Sequence, residues 1–125
     1  MTPAIVTAER ARVAHRVLAY AHDPAAPAYG PEAAAALGLD PAQVFKTLVV
    51  AVEGGPRGVA LAVGIVPVAR QLDLKAMADA VGAKRVAMAE VALAERTTGY
   101  VAGGISPLGQ RKALRTVLDE SALAF

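Results

Sequence analysis

The fold is decided by FKTLVVAV (residues 45–52) and VALAVGIVPV (residues 59–68), two runs rich in valine that are joined by EGGPRG. Glycine and proline in the connection are typical of a turn, so we expect an antiparallel β-hairpin. Both runs are apolar at nearly every position. This pattern predicts a sheet that is covered on both faces rather than on one.

Helix signals lie on either side of the hairpin. Gly30 and Pro31 suit a helix start, and Gly38 suits a helix stop. Asp73 is a good N-cap for an amphipathic helix that Gly82 ends. Four shorter elements are expected after it: a strand over 85–88, a helix over 90–96, and strands over 100–102 and 114–118.

The first twenty residues are ambiguous by periodicity. Residues 3–20 could form a single helix, but their apolar positions do not make a full stripe. A helix to about residue 11, followed by a strand over 15–20, is equally allowed. The residues alone leave both alternatives open.

Length and composition limit the class of protein. The chain has 125 residues, so we expect residues 1–125 to form one domain with one core. It contains no cysteine, which excludes disulfides, thiolate metal ligands and a cysteine nucleophile in this chain. No apolar stretch reaches the length of a membrane span, so we expect a cytoplasmic protein that does not engage membranes. The net charge of +2 is too small to argue for nucleic acid, although residues 70–115 carry most of the basic excess.

Few side chains could act as a nucleophile or a base. His15 and His22 lack a third ligand at metal spacing, so they make a weak zinc site, and surface or capping roles are favoured for both. Ser106 has no base nearby in the sequence and is best explained as a turn hydroxyl. No metal site is predicted.

Two other features could bind a ligand. The segment TTGYVAGGISPLGQ (residues 97–110) has four glycines and no charge, which favours a loop whose backbone N–H groups meet a ligand. Taken alone, the segment is better explained as a tight structural loop. Lys46 is a lone charge at the start of an apolar strand, where it could contact a phosphate or merely extend its ammonium group into solvent.

Several of these segments resemble the YbaK/EbsC family of aminoacyl-tRNA deacylases, which are related to the editing domain of prolyl-tRNA synthetases. The resemblance rests on Lys46-Thr47-Leu48, on QLDLK (residues 71–75), and on TGY (residues 98–100) leading into GGISPLG (residues 103–109). It implies an α+β domain around a mixed, partly barrel-like β-sheet with surrounding helices. It also implies that the N-terminal helix gives way to a strand near His15.

The resemblance further implies the site residues. Lys46 matches the essential lysine that holds the phosphate of the 3′-terminal adenosine, and Gly103 and Gly104 match the loop backbone at the reacting ester. Eight further residues match positions that bind substrate in the family: Tyr20, Tyr29, Thr47, Ile105, Ser106, Pro107, Leu108 and Gly109. No cofactor or metal is implied.

The implied activity is hydrolysis of mischarged aminoacyl-tRNA(Pro). Cys-tRNA(Pro) is the expected substrate, with the substrate's own thiol attacking its ester; an Ala-tRNA(Pro) deacylase and a non-catalytic module that binds tRNA or the synthetase are the alternatives. The expected partners are the acceptor end of tRNA(Pro) and prolyl-tRNA synthetase. Family members usually continue past the position of Phe125 into strands that carry a serine and an aspartate of the site, and then a helix, which we expect this chain to lack.

Overall fold

The computed structural model describes residues 2–25, 29–55 and 58–125. Four α-helices, four strands and a final 3-10 helix follow one another in these ranges. They are α1 (Pro3–Arg10), α2 (Tyr29–Leu37), β1 (Phe45–Gly55), β2 (Gly58–Pro67), α3 (Leu74–Val81), β3 (Arg85–Met88), α4 (Val91–Thr98), β4 (Arg115–Leu118) and the 3-10 helix Glu120–Ala124. No helix among the described residues is long and apolar enough to cross a membrane.

The strands form one mixed sheet in the order β3-β1-β2-β4. β1 and β2 are the predicted hairpin, paired antiparallel from Phe45 opposite Pro67 to Val52 opposite Ala60. β3 is antiparallel to β1, and β4 is parallel to β2. The α+β class and the mixed sheet are therefore confirmed, whereas the four described strands form an open sheet rather than a closed barrel.

The sheet is covered on both faces, as the two apolar runs predicted. On one face, Val50 and Ala62 pack with Met77 and Ala78 of α3 and with Val86. On the other face, alternation along the same strands presents Val49 and Val63 to Ala94 of α4. The hairpin is thus the middle layer between two helices, and each helix closes a separate apolar cluster.

The caps of α3 explain why this helix was predictable. The Asp73 carboxylate accepts a hydrogen bond from the Ala76 N–H at 3.0 Å, and Gly82 ends the helix at a φ of 70°. The Arg115 guanidinium donates to the carbonyls of Ala80 and Val81 at 3.3 and 3.1 Å. This fork ties β4 to the C-terminal end of α3.

Two predicted strands are wrong. Residues 13–20 form neither helix nor strand, and the side chains of Val13 and Val17 are each 58% exposed. A strand needs a neighbouring strand for its N–H and C=O groups, and none of the described strands pairs with this segment. The α1 helix is confirmed, but the strand implied for residues 15–20 is absent from the described fold.

The second wrong strand is the one over residues 100–102. Gly99 takes a φ of 80° and turns the chain after α4, and the Gly104 N–H donates to the Val101 carbonyl at 2.9 Å. The Ala102 N–H donates to a carboxylate oxygen of Glu95. Because a turn and a side chain satisfy these backbone groups, no strand pairing is required.

Candidate functional site

A cavity of about 730 Å³ lies between the first half of β1, the start of α2 and the loop that follows α4. It has the size expected of a small-molecule site. Segments that are distant in sequence meet there. Of the residues predicted for the site, the cavity wall contains Tyr20, Lys46, Thr47, Gly103, Gly104 and Ile105.

The other predicted residues are not in the wall. Ser106, Pro107, Leu108 and Gly109 lie farther along the same loop, outside the cavity lining. The backbone of Tyr29 begins α2, and its side chain falls outside the described part of the structure. The structure therefore brings six of the predicted residues together and separates the second half of the glycine loop from them.

The described cavity wall has few titratable side chains. Lys46 and Tyr20 are the titratable side chains among the described residues that line the cavity, and Thr47 adds a hydroxyl. No histidine or carboxylate lines it within the described ranges. The described residues also contain no group of three side chains suited to a metal ion. The cavity can therefore bind and position a ligand, but its described wall has no nucleophile–base pair.

Lys46 and Thr47 are placed by the start of β1. Lys46 is opposite Val66, and Thr47 is opposite Ile65. The Lys46 side chain is half-buried and makes no ion pair with any described residue. A cation in this position is free to meet a negatively charged group at the cavity.

Two glycines of the loop, Gly103 and Gly104, line the cavity, and the backbone conformation requires glycine at the first of them. Gly103 has a φ of 88°, in the left-handed region that side chains disfavour. Gly104 is not in that region, and a Cβ atom there would meet nothing closer than the Val101 carbonyl oxygen, at 3.6 Å. The fold alone thus explains Gly103 but leaves Gly104 unexplained.

Hydrogen bonds and close packing against α1 fix the conformation of the glycine loop. The buried Thr98 hydroxyl accepts from the Tyr100 N–H at 3.2 Å, and the Tyr100 hydroxyl donates to the Leu108 carbonyl at 2.7 Å. A Cβ atom at Gly109 would lie 2.7 Å from the Pro3 carbonyl oxygen and from the Thr7 hydroxyl of α1. Gly109 is therefore explained by close packing on α1.

Glu95 is a site residue that sequence reasoning missed. Its half-buried carboxylate accepts a hydrogen bond at 2.9 Å from the N–H of Ala102, which lines the cavity together with residues 103–105. Nothing in the local pattern of α4 marks this glutamate. The contact joins residues seven positions apart, beyond the spacing of helix neighbours.

Glu32 of α2 forms hydrogen bonds with residues 22–23, which closely follow Tyr20 in the chain. Its carboxylate accepts hydrogen bonds from the His22 ring and, at 2.7 Å, from the Asp23 N–H. The bond from His22, followed by the bond from Asp23, lowers the pKa of Glu32 below its ordinary value. His22, predicted to be a surface or capping residue, thus fastens residues 22–23 to the first turn of α2.

A smaller cavity lies between α3 and β4. Its volume is about 500 Å³, and it contains none of the predicted site residues. Its wall joins an apolar floor, including Leu72 and Met77, to charged groups at the rim such as Arg70 and Asp119. The larger cavity is therefore the candidate site.

Comparison with known proteins places this arrangement in a family. The family model described as the aminoacyl-tRNA editing domain matches residues 23–125. The chain belongs to this family. The matched region of this editing domain includes Lys46, Thr47 and the whole glycine loop, so the cavity is formed largely by the family's own segments.

Individual relatives agree with this assignment. The editing domain is 42% identical over 93 residues to EbsC of Enterococcus faecalis (strain ATCC 700802 / V583), a candidate Cys-tRNA(Pro)/Cys-tRNA(Cys) deacylase. The match covers 74% of this chain and 54% of that protein.

Solved structures show the same fold. A candidate trans-editing enzyme for prolyl-tRNA synthetase is 31% identical, with a TM-score of 0.68 over 82% of this chain and 61% of the other. The hypothetical protein APE2540 is 27% identical, with a TM-score of 0.67 over 77% of this chain and 61% of the other. The editing domain thus spans between half and two thirds of the length of these relatives.

Proposed function

We propose that this chain hydrolyses the ester bond of mischarged aminoacyl-tRNA(Pro), with Cys-tRNA(Pro) as its substrate. The observation that carries the proposal is the cavity wall. It combines glycine backbone with a lysine that has no ion pair among the described residues, and its described part lacks a histidine or carboxylate. Membership of the editing-domain family and the similarity to EbsC support the same activity.

Each part of the cavity has a role in this proposal. The Lys46 ammonium binds the phosphate of the 3′-terminal adenosine, an interaction between full charges that is stronger than a neutral hydrogen bond. The backbone of Gly103 and Gly104 approaches the reacting carbonyl. The Gly103 N–H, which has no hydrogen-bond partner among the described residues, stabilises the negative charge that develops on oxygen, because the Gly104 N–H already donates to the Val101 carbonyl. Tyr20, Thr47 and Ile105 form the wall around the aminoacyl group.

The attacking group in the proposal is the thiol of the substrate. The cysteine sulfur forms a bond to its own ester carbon, the bond from that carbon to the ribose oxygen breaks, and the thiol proton ends on the ribose oxygen. Water then opens the cyclic thioester and releases cysteine. Since the enzyme only positions the reactants, it needs no nucleophile of its own, and proximity supplies much of the acceleration.

Two partners follow from this activity. The acceptor end of tRNA(Pro) enters the cavity, and prolyl-tRNA synthetase is the source of the mischarged tRNA. Residues 106–109 and Tyr29, which are outside the described cavity wall, belong in this proposal to the surface that the tRNA end covers.

A deacylation panel tests the proposal. The protein is incubated with Cys-tRNA(Pro), Ala-tRNA(Pro) and Pro-tRNA(Pro), and loss of the amino acid is followed over time. We expect fast loss of cysteine and retention of proline. Faster loss of alanine would identify Ala-tRNA(Pro) as the preferred substrate. No loss from any of the three would support a module that binds tRNA without hydrolysing it.

A further inference from the structure

The first half of β1 has one edge without a neighbouring strand. β3 pairs with Val50–Glu53 of β1, and the last bond of this pairing runs from the Ala89 N–H to the Val49 carbonyl at 3.1 Å. The chain then leaves the sheet, because Val91 begins α4. Among the described residues, residues 45–48 therefore have no strand on this side.

The hydrogen-bond alternation shows which residues face that edge. In an antiparallel pair, every second residue exchanges both of its backbone bonds with the partner strand. The Val68 N–H donates to the Val44 carbonyl at 2.7 Å, so the backbone N–H and C=O groups of even-numbered residues of β1 point toward β2. Those of odd-numbered residues point toward the β3 side, as the bond at the Val49 carbonyl shows. The N–H and C=O of Thr47 consequently point out of the sheet without a partner in the described structure.

These two groups lie at the cavity. Thr47 lines it, together with Met88 and Ala89 from the end of β3 and Val91 from the start of α4. If β3 continued in register, the position opposite Thr47 would belong to residue 91. Because Val91 has turned into the helix, the cavity occupies the place of the missing strand residue.

We propose that the aminoacyl group of the substrate fills this place and pairs with Thr47 as a single strand residue. Its α-amino group donates to the Thr47 carbonyl, and its ester carbonyl accepts from the Thr47 N–H. The fit is chemical, because an aminoacyl group has the same N–Cα–C=O atoms as a residue in a strand. This assignment rests on the proposed function and adds to it a recognition site made of main chain.

Pairing of this kind has a consequence for selectivity. Main-chain bonds are the same for every amino acid, so Thr47 recognises the presence of an α-amino acid and fixes its orientation. Discrimination between side chains is left to the cavity wall. A ligand without the α-amino group loses one of the two bonds, whatever its side chain.

Amide hydrogen exchange measured by NMR on the ¹⁵N-labelled chain tests this pairing. The probe is 3′-amino-3′-deoxyadenosine carrying cysteine in an amide linkage, which cannot be deacylated as an ester. We expect the Thr47 amide of the free protein to exchange faster than those of Lys46 and Leu48, which face β2. Saturating probe should slow exchange at Thr47 about tenfold and leave the two neighbours unchanged.

Two matched probes test the two proposed hydrogen bonds between the aminoacyl group and Thr47. The nucleoside without an aminoacyl group should leave exchange at Thr47 fast. The analogue carrying 3-mercaptopropionic acid keeps the thiol and lacks the α-amino group, so it should bind about two- to tenfold more weakly than the cysteine probe. Equal affinity of these two acylated probes, or a Thr47 amide as protected as Leu48 in the free protein, would overturn the pairing.

Deacylation of Cys-tRNA(Pro) by the same preparation separates this proposal from the proposed function. Hydrolysis without any change at Thr47 under saturating probe overturns the pairing alone. Slowed exchange at Thr47 without hydrolysis supports the pairing and overturns the activity. If the probe does not bind and the ester is not cleaved, both are wrong.

Discussion

A carboxylate oxygen of Glu95 accepts a hydrogen bond from the Ala102 N–H at 2.9 Å and so fastens the glycine loop to α4. Ala102 is the first residue of the loop in the cavity wall and directly precedes Gly103. The hydrogen bond replaces the strand pairing that the sequence suggested for residues 100–102. Glu95 is thus a positioning residue for the backbone that the proposed reaction uses.

Removing this carboxylate should loosen the loop without unfolding the protein. We expect Glu95→Ala to lower the deacylation rate about ten- to a hundredfold, since a hydrogen bond to a charged group contributes about 1.5–3 kcal/mol. Glu95→Gln keeps an oxygen that can accept the Ala102 N–H and should restore most of the rate. Glu90→Ala is the matched control, because Glu90 makes no capping bond at the start of the same helix. Equal rates for Glu95→Ala and the parent would show that this contact does not position the loop.

The two glycines of the cavity should respond differently to alanine. Gly103→Ala places a side chain at a φ of 88° and should destabilise the fold by about 1–3 kcal/mol. Gly104→Ala meets the Val101 carbonyl oxygen only at 3.6 Å, so its thermal unfolding should match the parent. If substrate lies on this backbone, Gly104→Ala should nevertheless slow deacylation. A parental rate in this well-folded variant would mean that no substrate contacts Gly104.

Lys46 should be needed for activity and not for folding. Lys46→Met keeps the apolar stem in β1 and removes the charge, so we expect an unchanged unfolding temperature and deacylation reduced about ten- to a hundredfold. Lys75→Met, on the exposed surface of α3, is the matched control and should keep the parental rate. Full activity of Lys46→Met would show that the charge of Lys46 has no role in deacylation.

Acid unfolding should report the bonds to Glu32. Because the folded pKa of Glu32 is lowered, its contribution to stability is present above the ordinary carboxyl pKa of about 4.3 and is lost as the pH falls through the folded value. Glu32→Gln should therefore lose less stability than the parent between neutral pH and pH 3, measured by urea unfolding. Asp79→Asn, which alters a carboxylate without a hydrogen bond among the described residues, should follow the parental curve. A parental acid slope in Glu32→Gln would contradict this assignment.

The sequence predicted elements whose signals are local. Val and Ile runs with a glycine-rich connection predicted the hairpin, and Asp73 with Gly82 predicted both ends of α3. Strands that depend on a distant neighbour were not predictable: residues 15–20 have strand-forming side chains but no pairing strand in the described fold. Residues 100–102 lack a strand because Glu95, seven positions before Ala102, takes over one of their backbone bonds. No local pattern contains that contact.

The residues alone indicated Lys46 and the glycine loop as features that could bind a ligand, but only the family resemblance joined them in one site. Lys46 and Gly104 are 58 positions apart, and no periodicity links them. The free edge at Thr47 depends on where β3 stops, which is set by the turn of the chain into α4. Neither feature can be read from composition or spacing.

The most direct test of the account compares Cys-tRNA(Pro) with Ser-tRNA(Pro) under single-turnover conditions, using the same tRNA and correcting for affinity. The two side chains are nearly isosteric, but a thiol ionises far more readily near neutral pH than a hydroxyl and is the better nucleophile. If the substrate's own side chain attacks the ester, the cysteine ester must be cleaved much faster than the serine ester, and Lys46→Met should slow that cleavage. Equal rates for the two esters would contradict thiol assistance and require a water-activating group instead.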